Sequence, residues 1–178
     1  MQKLTTYTLG KTIIEKVFDD NPDISHLGEY TCNYKPGCIV RYDKSFYEDH
    51  MNDDDYDPPY YRNEYPFFMP PENGYPFDTP EYKKYALEDY NLMEGLNNNR
   101  WWFIGIIVST QIHTDNEISS NVTESLYGVE DGLKESEKYQ NEVIADLMHE
   151  IKTKLLKMSF SDEEIEETFE DKQVVELA

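Results

Sequence analysis

The sequence predicts an α+β fold: a small antiparallel sheet around a tryptophan-rich hairpin, flanked by a long amphipathic helix and a short C-terminal helix. Three observations carry this. Residues 100–130, RWWFIGIIVSTQIHTDNEISSNVTESLYGVE, hold both tryptophans and the longest apolar run. Val143, Ile144, Leu147, Met148, Ile151, Leu155 and Met158 recur at helical spacing. Ser161 followed by Glu164 is a capping box opening a last helix.

In the first of these, Trp102, Ile104, Ile106, Val108 and Ile112 alternate onto one face, and Trp101, Phe103, Ile107 and Gln111 onto the other. Side chains alternate at period two along a strand, so a run apolar on both faces and later on one face is a strand entering a core. His113 to Asn116 supply turn chemistry, and Glu117 to Thr123 resume as a polar strand. Leu126 to Gly132 read as a strand end and loop. The long helix is expected from about Lys134 to Lys157, with Lys152, Lys154 and Lys157 near its C-terminal end, where the helix dipole favours cations. The last helix buries Ile165 and Phe169, a side expected to continue to Val174, Val175 and Leu177.

Upstream, Lys11 to Phe18 (KTIIEKVF) places Ile13, Ile14, Val17 and Phe18 at a spacing that predicts a short amphipathic helix, stopped by Asn21-Pro22-Asp23. Pro36-Gly37 between Glu29–Cys32 and Cys38–Tyr42 predicts a hairpin. Residues 59–78 are rich in tyrosine, phenylalanine and proline. They read as a long aromatic loop: either Phe67, Phe68, Tyr75 and Phe77 lie over a sheet edge, or exposed tyrosines beside acids form an anchor surface for a partner and accept arginine heads by cation–π contact. Thr79 as N-cap and Pro80 at the first position start another helix, which Gly95 is expected to end. One domain is expected over 1–178: helix, hairpin and acidic loop in 1–58, the aromatic loop in 59–78, a helix–hairpin–helix core in 79–160, and an acidic C-terminal helix in 161–178.

The 178 residues carry a formal net charge of −21. Such a surface repels nucleic acid and anionic membranes and attracts cationic protein surfaces over a Debye length, roughly 8 Å at physiological salt. Direct nucleic-acid and membrane partners are therefore not expected. No stretch approaches the roughly 20 apolar residues of a membrane span, nor is there a signal peptide, so a cytoplasmic setting with Cys32 and Cys38 reduced is expected. The acids concentrate twice. Residues 48–58 hold Glu48, Asp49, Asp53, Asp54, Asp55 and Asp57 with no base. The C-terminal helix carries Asp162, Glu163, Glu166, Glu167, Glu170 and Asp171 on its exposed side. These twelve are the candidate partner-binding residues.

Catalytic signatures are absent: no G-x-S-x-G, Walker A, G-x-G-x-x-G, H-E-x-x-H or C-x-x-C. His26, His50, His113 and His149 sit in unrelated contexts. The Asp53–Asp57 run lacks the glycine and glutamate of an EF-hand, and two thiols alone do not complete a zinc site. The expectation is a non-enzymatic protein with no cofactor and no metal. A metal-dependent enzyme is the third-ranked reading.

Tyr85-Ala-Leu-Glu-Asp-Tyr90, Arg100-Trp-Trp-Phe-Ile-Gly105 and Ser125-Leu-Tyr-Gly-Val-Glu130, followed by the amphipathic helix, occur in an order that resembles a family of small bacteriophage and mobile-element proteins. The hallmark of that family is a W-W/H-F-x-G strand followed by S-L-W-G-I-E. Tyr127 stands where the family usually has tryptophan, and Gly132 where an acidic or serine residue often follows. The resemblance spans roughly the last hundred residues and implies phage origin. Small acidic proteins of that origin include inhibitors of host defence. The resemblance thus implies an anti-CRISPR protein in the host cytoplasm whose partner is a basic, nucleic-acid-binding Cas9-type nuclease. Carboxylates would occupy the Lys/Arg-lined channel in place of phosphates. A phage accessory module that binds through Tyr60, Tyr61, Phe67 and Phe68 is the alternative.

Overall fold

In a computed structural model of the chain, residues 7–41, 65–114 and 117–175 are described. They divide into two compact units, Met1–Pro22 with Trp101–Ala178, and Asp23–Arg100. The fold is α+β, as the sequence predicts. Among the described residues, no helix is long and apolar enough to cross a membrane.

The first unit is a four-stranded sheet with two helices on one face. In chain order its strands are β1 (Tyr7–Phe18), β5 (Trp102–Thr114), β6 (Glu117–Asp131) and β7 (Gln173–Val175). They lie side by side as β6-β5-β1-β7. β5 runs antiparallel to both neighbours, and β7 pairs parallel to β1. β5 is central, with a hydrogen-bonded strand along each edge, and residues 101–110 are buried or half-buried at every position. Ile104, Ile106, Val108 and Ile112 point into the main core, while Trp101 and Phe103 are buried and meet edge-to-face with ring centroids 5.0 Å apart.

The segment 11–18, expected as a helix, is part of β1. Its apolar spacing fits both periods. Pairing decides, because the inner edge of β5 needs a ladder partner for its backbone donors and acceptors. The alternation is hidden in the sequence because a buried inward position is Thr12, whose hydroxyl bonds to that of Thr110 at 2.7 Å.

The long helix, α2 here (Ser136–Lys157), places Val143, Leu147, Ile151 and Leu155 against the sheet. Gln140, 2% exposed, ties its start to the end of β6: Nε2 donates to the Glu130 carbonyl (3.0 Å) and to Asp131 Oδ1 (2.9 Å). The short helix α3 (Asp162–Glu170) buries Ile165 and Phe169, as expected. Val174 and Val175 do not continue that buried side, and Leu177 lies outside the described residues. The two valines belong to β7 and are exposed, because the chain leaves the helix at Asp171 and pairs with β1.

The second unit holds β2 (Glu29–Thr31), β3 (Ile39–Val40), β4 (Phe67–Met69) and helix α1 (Pro80–Asn97). The expected hairpin between Glu29 and Tyr42 is not formed. β2 and β3 do not pair with each other; each pairs antiparallel with β4, in the order β2-β4-β3. The strand between them comes from the stretch expected as an aromatic loop. Pro66 and Pro70 bracket β4, so its three residues keep their donors on both sides and the prolines fall outside the ladder. Phe68 is fully buried and packs its ring on Tyr30 (5.5 Å) and Tyr90 (5.4 Å). α1 starts as predicted, with the Thr79 hydroxyl accepting from the Tyr82 N–H (3.2 Å). It runs through Gly95 to Asn97, and Gly95 is buried rather than terminal.

Arg41 is the polar centre of this unit. Its side chain is 3% exposed and lies over the Tyr30 ring at 4.3 Å. Nη1 donates to the Tyr65 carbonyl (2.9 Å) and Nη2 to Glu94 Oε1 (2.8 Å). Glu94 Oε1 also accepts from the Tyr30 hydroxyl (2.6 Å). Burial, and then this bond to Glu94, push the Tyr30 phenol above its usual range.

Candidate functional site

The residues 161–171 build a carboxylate platform because local and long-range signals agree. The Ser161 hydroxyl accepts from the Glu164 N–H (3.3 Å), and Glu164 Oε2 accepts from the Ser161 N–H (2.8 Å) and hydroxyl (2.6 Å). This reciprocal cap satisfies two donors at the helix start. The Ser161 hydroxyl first, and its backbone N–H second, hold the Glu164 carboxyl below the usual range. Ile165, 0% exposed, and Phe169 then fix the other face in the core. A helix of nine residues held at its cap and along its buried side presents its outer carboxylates at set positions.

Asp162, Glu163, Glu166, Glu167, Glu170 and Asp171 are all exposed. They are not equivalent. Lys152 on α2 reaches Glu166 Oε1 (2.5 Å) and Asp162 Oδ1 (2.9 Å), so these two share one cation within the chain. The Glu166 bond first, and the Asp162 bond second, hold the Lys152 ammonium above its ordinary range. Lys152 therefore works as a bridge between helices rather than as a cation for the C-terminal dipole of α2; that place belongs to Lys154 and Lys157. Among the described residues, Glu163, Glu167, Glu170 and Asp171 form no ion pair. At 1.5 Å per residue these four extend about 12 Å along the helix.

Glu167 and Asp171 also line a cleft of about 530 Å³, together with Glu164 and Thr168 from α3, Thr8, Leu9, Gly10 and Lys11 from β1, and Gln111 and His113 from β5. A break in the β1–β5 register between Leu9 and Thr12 opens it. The His113 ring lies across Gly10 so closely that a Cβ there would overlap it. His113 Nε2 is shielded from solvent and has no hydrogen-bond partner among the described residues. The wall is acidic with one lysine and one imidazole, a lining suited to a cationic side chain. Among the described residues, no group of three or more His, Cys, Asp or Glu side chains is placed to hold a metal ion.

The other six candidates, Glu48, Asp49, Asp53, Asp54, Asp55 and Asp57, lie outside the described residues, as do His50, Tyr60 and Tyr61. Of the candidate aromatic anchors, Phe68 is core and unavailable to a partner. Among the described residues, the exposed rings of the second unit are Tyr34, Tyr75, Phe77 and Tyr85, with Tyr75 and Tyr85 stacked at 5.5 Å. Tyr34, Phe77 and Leu87 border a cleft of about 450 Å³ over Gly37 and Ala86. Sequence reasoning missed Tyr34 and Leu87; the polar runs around them gave no periodic signal. Among the described residues, Cys32 and Cys38 are not joined in a disulfide.

Compared with known proteins, the chain matches no family model, no curated protein and no solved structure.

Proposed function

We propose that this chain is a non-catalytic inhibitor of phage or mobile-element origin. It binds a basic, nucleic-acid-binding host defence protein, most concretely a Cas9-type nuclease, and its docking face is the outer side of α3. The observation that carries this reading is the stripe Glu163, Glu167, Glu170 and Asp171: four carboxylates that form no ion pair among the described residues, on a helix anchored through Ile165 and Phe169. Carboxylates held in place lose little freedom when they meet Lys and Arg, so more of their attraction is realised as binding. The overall charge of −21 adds long-range steering towards a cationic groove. The origin and the nuclease class rest on the motif resemblance alone.

The test is binding to a panel of purified defence nucleases across ionic strength. The wild type is expected to bind a member with an affinity that falls steeply with salt. A variant combining Glu163→Gln, Glu167→Gln, Glu170→Gln and Asp171→Asn is expected to weaken binding and flatten the salt slope, with Asp162 and Glu166 left intact as an internal control. Equal binding by wild type and variant refutes the reading.

A second reading has its own observation. Tyr34, Tyr75, Phe77 and Leu87 are between 46% and 65% exposed in the second unit, and exposed aromatic rings suit a protein-binding module. Tyr75→Ala with Phe77→Ala would abolish a partner interaction of this kind and leave one made through α3 unchanged.

A further inference from the structure

Among the described residues, strand β6 is the outer strand of the four-stranded sheet and, at fifteen residues, its longest. An unpaired edge exposes a row of N–H and C=O groups that can template another strand. Proteins ordinarily blunt such edges by keeping them short or by placing lysine, proline or a bulge on them. The opposite edge obeys this, because β7 has three residues. Along β6, the register with β5 is unbroken from Leu126 to Ser120, and the irregularities fall beyond its two ends. This seven-residue run, SNVTESL, contains no lysine, no proline and no bulge. Ser120, Asn121, Thr123, Ser125 and Leu126 are exposed. Its one charge, Glu124, is ion-paired to Lys154 of α2.

We propose that β6 is a homodimer edge: two copies pair antiparallel through Ser120–Leu126, with the two-fold axis at Thr123, forming one continuous eight-stranded sheet. The run matches itself about that residue. Thr123 meets Thr123, Val122 meets Glu124, Asn121 meets Ser125 and Ser120 meets Leu126. Directly opposed threonines and small polar pairs are favourable across antiparallel strands, and no like charges face each other. Alternate residues of an antiparallel strand direct their N–H and C=O groups away from the strand already paired. The edge therefore supplies main-chain bonds, and the symmetric pairing supplies register. The charge of −21 on each copy opposes association at a distance. Dimerisation is thus expected to tighten with salt, the reverse of binding through α3.

The experiment is sedimentation equilibrium of the full chain at several concentrations. Between about 0.1 and 1 M salt the Debye length falls from roughly 10 to 3 Å, and the dimer dissociation constant is expected to drop several-fold. Thr123→Lys, which puts two ammonium groups on the axis, is expected to raise it at least tenfold with the circular dichroism spectrum unchanged. In a Cys32→Ser, Cys38→Ser background, Thr123→Cys is expected to form an intermolecular disulfide. Opposed Cα atoms lie about 4.5–5.5 Å apart in an antiparallel pair, within the roughly 4.4–6.8 Å that a disulfide spans. Asn121→Cys, about 13 Å from its own copy at ~3.3 Å per residue, is expected not to cross-link. A chain that stays monomeric at every salt concentration overturns the proposal, as does a Thr123→Lys variant that dimerises like the wild type. Equal cross-linking at positions 121 and 123 overturns the register. None of these outcomes bears on binding through α3.

Discussion

Replacing Ile165 by alanine tests whether α3 is a rigid platform. Ile165 is 0% exposed and belongs to the main core cluster. The change removes three buried carbons, worth about 2.4 kcal/mol at ~0.8 kcal/mol each. A residual void of about 40 Å³ adds on the order of 1 kcal/mol at ~24 cal/mol per Å³. If the unit of about 100 residues unfolds as a whole, a loss near 3.5 kcal/mol lowers Tm by roughly 15–25 °C. If α3 undocks first, the global loss is capped at the free energy of that local opening, and amide exchange in 162–170 accelerates selectively. Both outcomes show that the carboxylates are held through this side chain. Scanning calorimetry with native-state hydrogen exchange separates them, and Glu163→Gln on the outer face is expected to change stability by less than about 0.5 kcal/mol. A loss under about 1 kcal/mol for Ile165→Ala, with unaltered exchange across α3, would refute the reasoning: the acids would then sit on a helix that the core does not hold.

Ser161→Ala removes the N-cap of α3 and is expected to cost about 1 kcal/mol, measured by urea unfolding. Because the folded Glu164 carboxyl titrates below its ordinary 4.5, its contribution is complete above that pH and lost as pH falls through the folded value; Ser161→Ala is expected to flatten this acid-side slope. Gly10→Ala drives a methyl group into the His113 ring and is expected to cost roughly 1–3 kcal/mol. Gly74→Ala, at φ +77° with open space around it, is expected to cost only the backbone strain, about 1–2 kcal/mol. Arg41→Met leaves the Glu94 carboxylate with the Tyr30 hydroxyl but without its cation, at a site where the Arg41 side chain is 3% exposed, and a loss of about 3 kcal/mol in chemical denaturation is expected. Tyr30→Phe, which keeps the ring on Phe68 and removes one bond to Glu94, is expected to cost nearer 1 kcal/mol.

What was legible in the sequence was whatever local chemistry fixes. Thr79-Pro80, the Ser161–Glu164 box, the α2 stripe and the alternation over 102–112 each carry their own signal, and the elements they mark are there. The hairpin's strands run further than expected, since His113 and Thr114, expected in the turn, extend β5, and residues 126–131, expected as a strand end and loop, belong to β6. What was not legible depended on partners far along the chain. KTIIEKVF fits a helix until β5 is there to pair with it, and the residue that would have marked the strand, Thr12, is polar because it bonds to Thr110, 98 positions away. The Pro-Gly turn argues for a hairpin, yet β4 separates β2 from β3 because Phe68 fills the space between Tyr30 and Tyr90.

The candidate site divides along the same line. That residues 162–171 form an acidic helix face follows from their own order, but which acids are available to a partner does not. Lys152 sits at least ten positions before any of them and on another helix, and its reach decides that Asp162 and Glu166 share an internal cation while Glu163, Glu167, Glu170 and Asp171 form no ion pair among the described residues. Charge counted along a sequence therefore overstates the face a partner meets. Neutralising Lys152 gives the sharpest consequence. Lys152→Gln frees two further carboxylates on a helix whose cap and core anchors it does not touch. If α3 is a docking face for a cationic groove, that variant is expected to steepen the salt dependence of binding beyond the wild type while the four-site neutral variant flattens it. Opposite movements from two changes on one helix are hard to obtain from a loss of folding, which would weaken binding in both.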